Sequence, residues 1–189
     1  TMEQTRAAVT AGARMFTHVF NAMRPLHHRD PGVATAALMP SAARAAIIPD
    51  GVHVHPEVLR MAWRLRGADG LILATDRVAL AGSDGYNARD APPLFGGALT
   101  AVTLNAGAAR LPDGTIAGSV ITMLDGVRLM VEQVGASVGE AALMASTNPA
   151  QTLGRKNLGR LAPGMLADLI VLDRELKLKA VYVWGREID

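Results

Sequence analysis

The chain contains no cysteine, which excludes disulfide bridges and thiolate metal sites. Aromatic residues are scarce, with two tryptophans, two tyrosines and three phenylalanines, so little is available for stacking on nucleic-acid bases. Lysine is confined to Lys156, Lys177 and Lys179. The 19 basic side chains stand against 17 acidic ones, a formal charge of +2, and form no contiguous block. This combination argues against a nucleic-acid partner. No apolar run is long enough to span a bilayer and no secretory segment is evident. The expected compartment is therefore the cytoplasm, with no membrane partner. Histidine is missing from the last two-thirds of the chain, and all five lie at positions 18, 27, 28, 53 and 55.

What is present is core material. Half of the 189 residues are hydrophobic and 19% are charged, the balance of a globular chain rather than a disordered one. Thr1-Met2-Glu3-Gln4 reads as a capping box opening a helix to Ala11, which Gly12 stops. Met15 to Phe20 reads as a strand, Asn21 to Gly32 as a charged loop, Val33 to Met39 as a short helix and Ala45 to Ile48 as the next strand. Asp50-Gly51 breaks that strand, Pro56 suits the first turn of a helix reaching Arg66, and Gly67 and Gly70 precede a strand from Leu71 to Thr75. Helix and strand alternate three times, which calls for a parallel sheet with helical crossovers.

Beyond Ser83 the pattern becomes Gly- and Pro-punctuated, with Ala98 to Leu104 a candidate strand and Leu111 to Thr115 a turn. Apolar residues at Met123, Leu124, Val127, Met130, Val131 and Val134 have helical spacing, and Val138 to Ala145 is a second helix closing near Asn148-Pro149. Ala167 to Leu172 and Val181 to Trp184 read as β-strands. Three strand-helix units are too few for an eight-stranded parallel barrel, which takes roughly 250 residues. Part of such a domain is expected to be missing.

The chemistry sits near the front. His18 ends an apolar strand and is followed by Asn21; a lone histidine there is more often a hydrogen-bonded structural residue than a ligand. Asp76 closes Leu71-Ile72-Leu73-Ala74-Thr75, where a carboxylate either emerges at the carboxyl end of a barrel strand or caps the next turn. His53 and His55 would share a face on a strand, but Pro56 shows that the strand has ended, so His55 reads as a surface or supporting residue. His27 and His28 flank Arg29 in a loop and are read as solvated. Trp63 and Trp184 read as core or interface residues.

Thr17-His18-Val19-Phe20-Asn21-Ala22-Met23, Arg29-Asp30-Pro31-Gly32, Asp50-Gly51-Val52-His53, Thr75-Asp76 and Ile116-Ala117-Gly118-Ser119 with Thr122-Met123 form an ordered series. The series resembles that of the N-acetylglucosamine-6-phosphate deacetylase family. The tail Gly159-Arg160-Leu161-Ala162-Pro163-Gly164-Met165-Leu166-Ala167-Asp168-Leu169 is similar to that of the wider amidohydrolase superfamily. The resemblance implies an α/β fold: the carboxyl-terminal portion of a (β/α)8 TIM-type barrel over residues 1–160. Residues 161–189 would be strands returning to a small β-sandwich domain.

The resemblance also implies roles. His18 would be a metal ligand for a divalent ion, zinc or iron, and Asp76 the catalytic acid-base. Asn21, Ala22, Arg29 and His53 would hold the sugar phosphate, and Ala117, Gly118 and Ser119 would line the substrate pocket. Arg29 would serve across a homodimer interface. Hydrolysis of the acetamide of N-acetylglucosamine 6-phosphate is the implied reaction.

The pattern departs from the family at several points, among them Pro49, where alanine is usual before Asp50-Gly51. The family's other metal ligands, a glutamate and a second histidine, have no counterpart between Thr1 and Thr17, so the 189 residues alone are expected to bind metal weakly and to show no turnover. Arg77 follows Asp76 where a small residue is usual; on a strand the two would face opposite ways, with modest effect. Two other readings stand beside this one: another amidohydrolase, such as a cyclic amidase or deaminase, and a noncatalytic sugar-phosphate-binding homologue.

Overall fold

The computed structural model describes residues 1–78 and 102–188. Its first third is a parallel sheet with helical crossovers. Helix α1 (Met2–Thr10) starts at the expected capping box, in which the Thr1 hydroxyl accepts from the Gln4 amide while the Gln4 side chain accepts from the Thr1 amine. Strand β1 (Met15–Phe16), helix α2 (Val33–Leu38), strand β2 (Arg44–Ile47), helix α3 (Pro56–Arg66) and strand β3 (Leu71–Leu73) follow. The three strands lie in the order β1-β2-β3, all parallel, with Phe16 opposite Ala45 and Ile47 opposite Leu73. Ala45, Ala46, Ile47 and Ile48 are all buried, as expected of a central strand covered on both faces.

Strands β1 and β3 are shorter than the sequence suggests. Their final residues leave the ladder to shape loops: Val19 still donates to the Ala46 carbonyl and Ala74 to Ile47, but His18, Phe20, Ala22 and Asp76 have left-handed backbone angles that no strand accommodates. Helix α3 has the predicted bounds because its signals are local. Pro56 stands at its first turn, the His55 Nδ1 accepts from the Glu57 amide as the cap, and Gly67 closes it. This places His55 in a supporting role.

A second sheet, β4 (Thr103–Asn105), β5 (Ala108–Arg110) and β6 (Ile116–Ser119), is antiparallel. The candidate strand at Ala98 overlaps β4 only at its end, and its residues 98–101 lie outside the described residues. The turn at 111–115 is observed, with the Leu111 amide donating to Thr115, but β5 and β6 on either side of it carry too few consecutive apolar residues to read as strands. Helix α4 (Met123–Leu129) widens into a π-type turn over Met130–Val134, where the Gly135 amide reaches back to Met130. Helix α5 (Val138–Ala142) passes through a similar turn, Leu143–Thr147, into α6 (Asn148–Thr152), so Pro149 lies in the first turn of α6 rather than at an end. Antiparallel β7 (Leu169–Leu172), β8 (Leu178–Val183) and β9 (Arg186–Ile188) form the tail; β9 has no strand signature in the sequence.

The main core joins β1–β3 to the later helices through Val19, Ile47, Leu59, Leu71, Leu73, Met130, Val134 and Met144. Arg44 reinforces this junction: its guanidinium donates to the carbonyls of Asp69 and Asn148, to the Thr152 hydroxyl and to Gln151. Trp63 packs against the core, whereas Trp184 is 76% exposed on the tail sheet.

Candidate active site

Because β1, β2 and β3 run parallel in register, the segments after their carboxyl ends share one edge of the sheet. Those segments carry His18, then Asp50 and His53, then Asp76. Parallel α/β folds place ligands at this edge.

The loop after β1 is a tight turn. The His18 carbonyl accepts from the Asn21 amide at 2.9 Å and from the Asn21 side chain at 3.3 Å. His18 takes φ +34°, and its Nδ1 is buried with no hydrogen-bond partner among the described residues. A buried, unpartnered imidazole nitrogen is an acceptor or ligand in waiting. Further along the loop, His27 Nδ1 accepts from the amides of Arg29 and Asp30, and Arg24 pairs with Asp30 at 2.7 Å. Arg29 stays exposed, with its guanidinium 2.9 Å from His28 Nε2.

The loop after β2 is organised by Asp50. One of its carboxylate oxygens accepts from the amides of Val52 (2.9 Å) and His53 (2.8 Å), and the other meets His53 Nδ1 at 2.6 Å. Both side chains are essentially buried, 0% and 4% exposed. Burial alone would push the Asp50 carboxyl up. The hydrogen bonds from the His53 ring and from the His53 and Val52 amides, with the His53 charge, outweigh it and hold the carboxyl below the ordinary aspartate range. The sequence reading gave Asp50 a place in a motif and at a strand end, but no role in the site. The signal was available, since an Asp followed by amides two and three residues on is the pattern of a side-chain-stabilised turn.

Asp76 stands at the edge of this cluster, its side chain 53% exposed and its Oδ2 3.9 Å from His53 Nε2. Its backbone sits at φ +49°, an uncommon conformation that surrounding structure must enforce. Strand β6 does so. The Ser119 amide donates to the Asp76 carbonyl at 2.7 Å, the Ser119 hydroxyl donates to the Thr75 carbonyl, and Val78 donates to the Ser119 carbonyl at 3.0 Å. Gly118 lies flush against the same segment at φ +147°. Arg77 donates to the Val120 carbonyl at 2.6 Å, and the left-handed Asp76 lacks the strand geometry on which the opposite-face expectation rested.

The structure therefore brings together Asp76, His53, Gly118 and Ser119. Ser119 is fully buried with both donors occupied, so it supports the loop from behind, while Ala117 is exposed. Asn21 is half-buried, and Ala22 and Arg29 are exposed on the β1 loop. Among the described residues no three His, Asp or Glu side chains converge as a metal site. His18 fits as one ligand, but one imidazole falls short of the three protein ligands normal for a catalytic divalent ion. Chemically, the cluster offers a solvent-facing carboxylate on a fixed backbone beside an oriented imidazole, a constellation suited to proton transfer.

The chain is 41% identical over 186 residues to N-acetylglucosamine-6-phosphate deacetylase of Lysinibacillus sphaericus, covering 98% of this chain and 46% of that protein. It is 37% identical over 188 residues to N-acetylgalactosamine-6-phosphate deacetylase of Escherichia coli O157:H7, covering 98% and 48%. Among solved structures, N-acetylglucosamine-6-phosphate deacetylase of Thermotoga maritima superposes with a TM-score of 0.88 at 32% identity, over 99% of this chain and 50% of that one. A Mycobacterium smegmatis deacetylase, an aspartate-to-alanine mutant in complex with N-acetyl-D-glucosamine 6-phosphate, superposes with a TM-score of 0.86 at 40% identity, over 99% and 48%. The chain spans about half the length of the curated relatives it matches. With residues 1–188 matching the amidohydrolase family model, and the carboxylate and imidazole standing at the carboxyl edge of its parallel sheet, the chain belongs to the amidohydrolase family.

Proposed function

We propose that this chain supplies the acid-base and phosphate-binding part of a deacetylase that converts N-acetylglucosamine 6-phosphate to glucosamine 6-phosphate and acetate. The observation that carries the reading is the presentation of Asp76: solvent-facing, on a clamped left-handed backbone, beside His53 at the sheet's carboxyl edge. In the reaction Asp76 takes a proton from water as its oxygen attacks the acetamide carbonyl carbon. It then delivers that proton to the amine nitrogen as the C–N bond breaks and acetate leaves.

Asn21, Ala22, Arg29 and His53 hold the phosphate in this reading, with Arg29 as the guanidinium fork. Arg29 lies on an exposed loop, which suits service to a second copy of the chain in a homodimer. Ala117 and Gly118, backed by Ser119, form the pocket wall. His18 contributes one ligand to a divalent ion, zinc or iron; when bound, such an ion polarises a carbonyl and acidifies water. The fold in this reading is the carboxyl-terminal part of a (β/α)8 barrel over residues 1–160, with 161–189 belonging to a small β-sandwich. The compartment is the cytoplasm.

The test is acetate release from N-acetylglucosamine 6-phosphate by the full-length protein, with Asp76→Asn alongside. Release that is lost in the variant by roughly 100-fold or more supports the reading. No release from folded, metal-loaded protein would move the substrate elsewhere. The galactosamine-type relatives at comparable identity make the C4 epimer the second substrate to assay. An Arg29→Ala variant that raises KM only for phosphorylated substrates separates this function from a cyclic amidase or deaminase.

A further inference from the structure

We propose that Asp50 is a positioning residue of the reaction: it engages Nδ1 and fixes the ring plane of His53, so that Nε2 is the nitrogen presented to the bound ligand beside Asp76. The inference rests on the deacetylase reading for its kinetic consequence, though not for its structural one.

The buried Asp50 carboxylate lies 2.6 Å from His53 Nδ1, a short, charge-assisted hydrogen bond in which the ring nitrogen must be the donor. With Nδ1 donating to Asp50, Nε2 is the ring nitrogen left to face the site. That nitrogen is the one 3.9 Å from Asp76 Oδ2, about 1 Å beyond hydrogen-bond reach. The second Asp50 oxygen, bound to the Val52 and His53 amides, locks the carboxylate so that the ring cannot turn with it. The arrangement assigns work to a residue that otherwise looks like a turn former.

Two measurements test it on the full-length protein. In 15N NMR of histidine-labelled protein, with the His53 signals assigned by their loss in His53→Asn, the neutral ring is expected to carry its proton on Nδ1. A proton on Nε2 with bare Nδ1 in the wild type would sink the proposal whether or not any variant folds. In the kinetic arm, Asp50→Asn retains one oxygen for the two amides but removes the anionic acceptor. It is expected to lower kcat/KM roughly 10- to 100-fold, the range associated with outer partners of functional histidines. In a His53→Asn background the same change should cost less than about twofold, because Asp50 acts through His53. Equal losses in both backgrounds overturn the assignment. If the wild type releases no acetate, the deacetylase reading falls while the NMR arm still decides the role of Asp50.

Discussion

Gly118 bears on Asp76 through its backbone. At φ +147° its backbone is one that side chains rarely adopt, and a β-carbon there would stand 2.7 Å from Val78 Cγ1 and 2.8 Å from the Asp76 carbonyl. A Gly118→Ala substitution should therefore push on the segment that carries the Asp76 carboxylate. We expect a stability loss of about 1–3 kcal/mol in denaturant titration, together with a fall in kcat larger than the fall in folded fraction. Unchanged kcat in the folded variant would show that β6 does not set the position of Asp76. The sequence marked Gly118 through a motif and assigned it to the pocket wall. Its clamp role depends on contact with Asp76 and Val78, which no local pattern encodes.

Elements were legible wherever their boundaries are set by neighbouring residues. Among the described residues, three helices begin with reciprocal capping: Thr1 with Gln4, Thr122 with Asp125, and Ser137 with Glu140. The first was read directly from the sequence, and Pro56 and Gly67 bounded α3 in the same way. Ser137 lies outside the candidate active site, and its hydroxyl receives the Glu140 amide while the Glu140 carboxylate receives the Ser137 amide and hydroxyl. Ser137→Ala is expected to lower stability by about 0.5–2 kcal/mol and to leave acetate release by the full-length protein unchanged below its shifted Tm. A thermal melt identical to wild type would mean that α5 is held by packing alone. Strands were less legible because a strand ends where its partner ends. The residues after Phe16 keep a hydrophobic pattern but turn out of the sheet, and β5, β6 and β9 acquire strand character only from their hydrogen-bonded neighbours.

At the scale of the molecule, the parallel sheet is tied to the later helices by a shared core and by Arg44, whose four hydrogen bonds reach residues distant in sequence. Asp50 gives this assembly a pH dependence. Its folded-state pKa is depressed, so the stability it contributes is present above the unfolded aspartate value of about 4 and is lost as pH falls from there through the folded value. Acid unfolding of the wild type should accordingly steepen below about pH 4, and Asp50→Asn, having no carboxylate to titrate, should flatten that limb. Superimposable acid limbs would show that the depressed value does not report folding energy.

By itself the sequence determined the alternation of helix and strand, the caps of α1 and α3, the absence of thiol chemistry, and the presence of His18, His53 and Asp76 in ordered motifs. All of these are properties of a few adjacent residues. Only the tertiary structure decided that β1, β2 and β3 pair in parallel register, and therefore that the residues beyond their ends meet at one edge. It also decided that Ser119 is buried behind Asp76 and that Asp50 is locked to His53. Those relations depend on which segments exclude water together, a condition of the whole chain that no single stretch of it can specify.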